Sequence, residues 1–439
     1  MIAHISAIQK IRLRVVLPLL LLLVVSSIDR VNISFAALQM NAELALTHNE
    51  YGLAISAFFL GYLFFQFPSI ALLKRYGARK WIFGSVLLWG VFAVGMVFVR
   101  GTTSLYILRF LLGLAEAGFA PGVVYLCSVW MPKRYRAAAI GSTMLAIPIS
   151  VIVGGPFSGW LMSHHVMALS VSGWRWMFLM EGVLTIVFAV LALKVVCNGP
   201  HDARWLSAAE KQWLHEQHAL DATVANHGLA SMRAVFLSAR IWAAACLYFV
   251  LIAGAYGILF WLPQVIRQMS NVTIFETGVI SALPWVGIGL GMYFNARHSD
   301  RTGERYKHVI VPSLLCSLCL ALATLTNHQL LALALLVVAG MGLGGAQSVF
   351  WTIPTNFLTK EVAGQGIAAI SLCGNLGGLF GPFALGLILQ ASGSFRLPAY
   401  VMAALLAAGA LLAVYVRNGE TSIATGIDES PAVSVPVET

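Results

Sequence analysis

The sequence predicts an all-α membrane protein, with twelve transmembrane helices in two pseudo-symmetric six-helix bundles. Three observations carry this expectation. Of 439 residues, 59% are hydrophobic and 10% charged, against roughly 25% charged in soluble domains, and the mean hydropathy is +0.84. Apolar runs of the roughly 20 residues needed to cross a hydrocarbon core recur in two groups of six. Lysine and arginine gather in alternate loops.

The first six runs lie at about 15 to 38, 51 to 73, 81 to 99, 103 to 129, 137 to 162 and 175 to 196. The second six lie at about 240 to 263, 275 to 296, 307 to 326, 329 to 352, 362 to 390 and 397 to 416. The chain then divides into an N-terminal segment 1–14, a bundle 15–197, a central loop 198–239, a second bundle 240–417 and a tail 418–439. In the central loop, Ser207 three residues before Glu210 reads as a capping box opening a surface helix. The tail is acidic and mixes Ser, Pro and Val, a composition expected to be disordered. The first apolar run is too long for a signal peptide and is expected to be retained.

Orientation follows from the basic residues. Lys10, Arg12 and Arg14, then Lys74, Arg75, Arg79 and Lys80, then Lys133, Arg134 and Arg136, and finally Arg297, Arg301, Arg305 and Lys307 all fall on one side. The opposite loops carry Arg100, Arg267 and Arg396. The positive-inside rule places both termini and the central loop in the cytoplasm, in a cell membrane of the bacterial inner-membrane type. The net charge of +10 is thereby a topology signal, and no nucleic-acid partner is expected. Cys316 and Cys319 imitate a metal-binding spacing, but on an apolar helix they read as packing residues.

Four charges lie inside these runs: Asp29 and Arg30 in the first, Arg109 and Glu116 in the fourth. Ionisable residues at bilayer depth mark functional sites. Arg30 and Arg109 have the geometry to receive a carboxylate in two parallel hydrogen bonds. Asp29 and Glu116 are acids that burial and neighbouring charge can tune for proton binding. Adjacent helical residues project about 100° apart, so Arg30 is expected to face the centre and Asp29 a neighbouring helix. The competing expectation is that all four charges simply pin the first helix to the fourth. Glu181, with Arg175 near a membrane face, is expected to pair with a basic loop residue; His164 and His165 read as solvated loop residues.

The two halves echo each other. Lys74-Arg75-Tyr76-Gly77-Ala78-Arg79-Lys80 follows the second run, and Asp300-Arg301-Thr302-Gly303-Glu304-Arg305 follows the eighth. The fifth run holds Gly155-Pro156 and the eleventh Gly381-Pro382. Such duplication is a transporter architecture, with the substrate bound near the midplane where the repeats meet.

The Asp-Arg-x-Gly-x-Arg turn resembles the loop signature of the major facilitator superfamily, with Lys74 standing in the acidic position of the first copy. A narrower resemblance is to the anion:cation symporter family. It rests on Asp29-Arg30-Val31-Asn32-Ile33, on Arg109 with Glu116-Ala117-Gly118-Phe119-Ala120-Pro121-Gly122, and on Gly173-Trp174-Arg175-Trp176-Met177-Phe178 with Glu181-Gly182. Ala203-Arg204-Trp205-Leu206, Phe350-Trp351-Thr352-Ile353-Pro354-Thr355 and Asn375-Leu376-Gly377-Gly378 extend it over nearly the whole chain. Bacterial tartrate, phthalate and rhamnonate-type transporters look most similar.

The resemblance implies the major facilitator fold and proton-coupled import of a small organic anion by alternating access, by a chain that is no enzyme, needs no cofactor and works as a monomer. It implies proton coupling at Asp29 and Glu116 and anion binding at Arg30, with Tyr62 at a substrate-contacting position. Asn375, Gln347, Thr352 and Tyr256 are further candidates for substrate contact, with Trp261 a weaker one. Asp300, Arg301, Gly303 and Arg305, with Arg75 and Gly77, are expected to latch helix ends on the cytoplasmic side. Ser27 and Ile147-Pro148 depart from sugar-acid relatives and point to a differently shaped or less hydroxylated anion. The alternatives within this fold are an organic anion exchanger or a drug exporter. A membrane-embedded enzyme lacks an HExxH or GxSxG motif to support it, and a solute sensor lacks an output domain.

Overall fold

Twelve helices among the described residues are long and apolar enough to cross a membrane. The structure is a computed structural model, describing residues 2–164, 171–223, 238–269, 272–357 and 363–427. The first half comprises α1 (Ile5–Glu43), α2 (His48–Tyr76), α3 (Ala78–Phe98), α4 (Thr102–Trp130), α5 (Lys133–Ser163) and α6 (Gly173–Val195). The second comprises α7 (Ala239–Gln268), α8 (Ile274–Thr302), α9 (Lys307–Leu325), α10 (Gln329–Pro354), α11 (Gly366–Ser392) and α12 (Arg396–Arg417). His165 lies outside the described residues, and so does the tail beyond Ile427.

Both halves use one packing plan. In the first, α1 packs on α5, α2 on α4 and α3 on α6; in the second, α7 packs on α11, α8 on α10 and α9 on α12. The register of the repeat is visible at the ends of α2 and α8. Thr47 and Thr273 each open their helix with a capping box to Glu50 and Glu276, and Gly77 and Gly303 follow their ends at φ of 79° and 70°. Each of these pairs is 226 positions apart, as 47 is from 273.

Close backbone approach sets the position of α4. A Cβ on Gly113 would stand 1.9 Å from the Phe58 carbonyl oxygen of α2, and one on Gly61 would stand 2.1 Å from that of Phe110. Small residues permit such contact where lipid offers no hydrophobic drive for helices to associate. About one turn on, α4 breaks at Ala117 and at Gly118, which adopts φ 79° two residues after Glu116. Broken helices at depth are tolerated where they line a site.

Two boundaries differ from the sequence expectation. The N-terminal segment is not separate: the chain is helical from Ile2, and a π-helical stretch at Arg12–Val16 carries it into Leu17–Glu43. That wider turn accommodates Pro18, which has no N–H to donate. The last helix also continues past its apolar span to Ile427, because the next proline is Pro431.

The central-loop helix Ala208–Thr223 docks on the first half. The Glu210 backbone N–H donates to Ser207 Oγ, and the Ser207 N–H donates to Glu210 Oε2 at 2.8 Å, completing the expected capping box. Lys10 Nζ then pairs with Glu210 at 2.8 Å, and Trp205 stacks on Trp130 at 5.6 Å.

The halves meet through α1 with α7, α2 with α11 and α5 with α8. Hydrogen bonds between them concentrate toward the end opposite the basic loops. Asn49 N donates to Gln390 Oε1 at 3.0 Å, Tyr51 to the Phe260 carbonyl at 2.9 Å, and Ser56 to the Leu379 carbonyl at 2.7 Å. Asn375 to Gln66, at 3.5 Å, is the link among these that reaches furthest toward the basic end. The hydrogen bonds between the halves thus lie chiefly away from the basic loops.

Gly113→Val should push α2 and α4 apart and lose most of the folded protein, overpacking of this kind costing about 1–3 kcal/mol or more. Gly84→Val, where an added Cβ meets nothing within 4 Å, should leave it intact, with thermal stability in detergent as the readout. At Glu210, burial opposes ionisation, but hydrogen bonds from Lys10, the Ser207 backbone and Ser6, together with the Lys10 charge, hold the carboxyl at about 2. Lying below the ordinary 4.5, this value makes the docking contribution complete above 4.5, lost as pH falls through about 2. Glu210→Gln should therefore lower hydrogen-exchange protection of Ala208–Thr223 at neutral pH; unchanged protection would show that the pair does not hold the helix.

Candidate functional site

Arg30 sits at the meeting point of the two halves. One guanidinium nitrogen, Nη2, pairs with Glu116 Oε1 of α4. The other, Nη1, donates to the Tyr256 hydroxyl of α7 at 3.2 Å. The guanidinium carbon stands 5.3 Å from the Tyr62 ring and 5.4 Å from the Phe58 ring, both on α2. Positions 30 and 256 are themselves 226 apart, so repeat-equivalent residues touch on the pseudo-two-fold axis. The expected orientation of Arg30 toward the centre is what the structure shows. Its side chain retains 18% exposure, whereas Glu116 retains 2%.

Ser26, one turn before Arg30, donates its hydroxyl to the same Oε1 of Glu116. Glu116 therefore sits beneath a hydroxyl and a guanidinium at the last turn before the α4 break. Seven residues back on α4, Arg109 is fully buried and lies 4.8 Å from the Phe58 ring. Its Nε reaches the Ala54 carbonyl at 3.5 Å, while Nη1 and Nη2 have no hydrogen-bond partner among the described residues. A buried guanidinium with idle donors is costly unless an anion visits it.

Asp29 turns the other way, as its 100° offset from Arg30 requires. Its Oδ2 accepts from Trp89 Nε1 of α3 at 3.0 Å and from Thr185 Oγ1 of α6 at 2.7 Å. The four charges thus do not form one pin: Arg30 and Glu116 pair, while Asp29 and Arg109 form no ion pair among the described residues.

Glu181 corrects the sequence expectation. It pairs with no loop residue among the described ones; it is buried, accepting from Asn32 at 2.9 Å and Ser158 at 2.7 Å. The cause is helical phase, because Glu181 lies one turn before Thr185 on the face of α6 that meets α1. Arg175, further toward the helix start, takes the membrane-face role instead, pairing with Glu43 at 2.9 Å. Asn32 and Glu181 both stood in recognisable motifs, and i, i+3 spacing from Asp29 and i, i+4 spacing to Thr185 was the available signal. Ser26 and Trp89 gave none.

Among the other candidates, Tyr62 and Tyr256 join the Arg30 cluster. Asn375 reaches across the halves to Gln66. Gln347 donates to the Leu251 carbonyl at 3.2 Å and Thr352 to the Val349 carbonyl at 2.7 Å, so these hydrogen bonds go to helix backbone rather than to the Arg30 cluster. Trp261 packs edge-on against Tyr51 at 5.0 Å. At the basic end, Asp300 pairs with Arg305 at 2.7 Å within its own loop, beside Arg301 and Gly303. Arg75 lies over Tyr76 at 5.5 Å next to Gly77. No described ion pair joins these two loops.

A profile of the Major Facilitator Superfamily matches residues 19–382. The chain belongs to this superfamily. It is therefore a multi-pass membrane transporter and no enzyme. An Agrobacterium vitis protein provisionally assigned as a tartrate transporter is 39% identical over 420 residues, covering 95% of this chain and 93% of that one. A quinolone resistance transporter of Acinetobacter baumannii is 33% identical, covering 94% and 95%. In fold, the chain is similar to a bacterial homologue of the human lysosomal transporter Spinster in an inward-facing and occupied conformation. There the TM-score is 0.76 at 16% identity, covering 93% of this chain and 97% of the other. Membership of the superfamily and the likeness to tartrate-type relatives agree with the resemblance read from the motifs.

Proposed function

We propose that this transporter imports a small organic anion, of the tartrate or related carboxylate class, together with protons by alternating access. The observation that carries the reading is Arg30, shared between Glu116 of the first half and Tyr256 of the second. An anion arriving from outside competes with Glu116 for the guanidinium. Protonating Glu116 removes that competitor and frees the fork for a carboxylate. Tyr62, Tyr256 and Asn375 would complete the pocket, with Arg109 as a reserve partner for Glu116 or for the anion. Proton and anion thus favour one another's binding, the requirement for symport.

The charge pattern supports an orientation with the basic loops, and with them both chain ends, in the cytoplasm. Moving an anion into a negative interior costs about 2.3 kcal/mol per charge per 100 mV, which co-moved protons offset. The tartrate assignment of a 39% identical relative supports the substrate class. The quinolone resistance relative favours a second reading, export of a drug on the same fold.

In proteoliposomes loaded with buffer and supplied with labelled tartrate, an inward proton gradient should accelerate uptake. If preloaded anion accelerates it while the proton gradient does not, the protein is an exchanger. Arg30→Ala should lower uptake at least about 100-fold, hydrogen bonds to charged groups being worth about 1.5–3 kcal/mol each; near-normal uptake would remove Arg30 from the site. Glu116→Gln should lower the ratio of concentrative uptake to counterflow, and a mutant that accumulates tartrate with unchanged pH dependence would contradict its coupling role.

A further inference from the structure

A third carboxyl, beside Glu116 and Asp29, is buried in the first half, and the cycle just proposed does not use it. Glu181 of α6 is 2% exposed and hydrogen-bonds to two other helices. Its Oε1 accepts from Ser158 of α5 and its Oε2 from Asn32 of α1. Both donors are neutral. One turn along each of α1 and α6, Asp29 is likewise held by neutral donors, Thr185 and Trp89. Asp29 lies within electrostatic reach of both Glu181 and Glu116.

The surrounding elements bring no compensating cation. On α1, Arg30 is turned to Glu116 and Tyr256. α5 contains no Asp, Glu, Lys or Arg between Ala137 and Ser163. On α6, Arg175 is held by Glu43 and Lys194 stands at the far end. α3 contributes the Trp89 indole, with Arg79 and Lys80 at its first turn. α8, which packs on α5, contributes Glu276, tied to Thr273 at its own N-terminus. Asp29 and Glu181 are thus each held by neutral donors alone among the described residues.

The amide beside Glu181 is suited to both protonation states. Asn32 Nδ2 donates to the carboxylate, while Asn32 Oδ1 is buried and has no hydrogen-bond partner among the described residues. A protonated Glu181 needs an acceptor, and half a turn of the amide supplies Oδ1. The Ser158 hydroxyl likewise serves as donor or acceptor. A purely structural acid would be matched to one state. This one has a partner idle until the proton arrives.

We propose that Glu181 binds and releases a coupling proton, as a second protonation site paired with Asp29 across α1 and α6. A proton from water on the outer side forms the O–H bond on a Glu181 oxygen. The same proton returns to water on the inner side as the bundle rocks, and nothing else is consumed. This rests on the proton-coupled reading above and raises its stoichiometry by one.

The test uses full-length protein in proteoliposomes, with labelled tartrate as the probe and the membrane potential clamped at zero. Each coupled proton then supplies about a tenfold accumulation ratio per pH unit. Glu181→Gln, which keeps the shape and can still meet Asn32 and Ser158, should lower that ratio about tenfold per pH unit relative to wild type, whereas Glu181→Asp should restore the wild-type slope. An unchanged slope in the Gln variant would overturn the proposal while leaving coupling through Asp29 and Glu116 standing. If wild type shows no proton-driven tartrate uptake, the coupled reading has failed for this probe, and pH-difference infrared spectra of substrate-free protein decide the site alone. A titrating protonated-carboxyl band lost in Glu181→Gln and moved in Asn32→Ala supports the proposal. An identical band in all three proteins overturns it.

Discussion

A guanidinium that cannot shed its charge has been placed at membrane depth, and the middle of the molecule is organised around satisfying it. Arg30 needs an anion, an acceptor and polarisable surface. Glu116, Tyr256 and the Phe58 and Tyr62 rings supply them from α4, α7 and α2. Each partner in turn depends on backbone geometry elsewhere. Glu116 reaches Arg30 because α4 lies against α2 at Gly113 and Gly61 and breaks immediately afterwards. Tyr256 reaches it because the pseudo-two-fold brings repeat-equivalent positions together.

That symmetry is one of packing and not of chemistry. The position equivalent to Arg30 is a tyrosine, and the one equivalent to Asp29 is Ala255. Among the described residues, the charged side chains buried within spans, Asp29, Arg109, Glu116 and Glu181, lie in the first half, as does the part-buried Arg30. The second half meets them with hydroxyl, amide and aromatic groups, which can part from Arg30 at a modest cost, since a hydrogen bond of this kind is worth about 1.5–3 kcal/mol. An ion pair across the same boundary would resist separation far more strongly. A rocking transporter needs the weak bond between its halves and the strong one within a half, and Arg30 has them so arranged.

The fold was legible from the sequence because hydropathy, loop charge and the repeated Gly-containing turns act independently and agree. The Arg30 and Asp29 division was legible too, since adjacent residues on a helix cannot share a direction. What composition could not reveal was the destination of each side chain between helices distant in sequence. Ser26 and Trp89 are ordinary span residues until Glu116 and Asp29 are placed beside them. Glu181 misled for the same reason: its distance from the start of α6 was readable, but the face it presents depends on how α6 is rotated against α1. The N-terminal boundary was missed because a π turn at Arg12–Val16 has no compositional signature.

Charge balance at the centre links these features to the class of anion. With Arg30 paired to Glu116, the pair is neutral, and a monoanion entering a dry site lowers its net charge by one unless a proton accompanies it. A dicarboxylate brings two charges, and one proton on Glu116 neutralises half of the change. The remainder falls to groups that are currently unbalanced: the idle guanidinium nitrogens of Arg109, and the Asp29 and Glu181 carboxyls held by neutral donors alone. Of these, Arg109 cannot shed its charge and can only receive an anion, whereas the Asp29 and Glu181 carboxyls are groups able to take up a proton, so in a low dielectric any change of charge at the centre has to be met by the carboxyls.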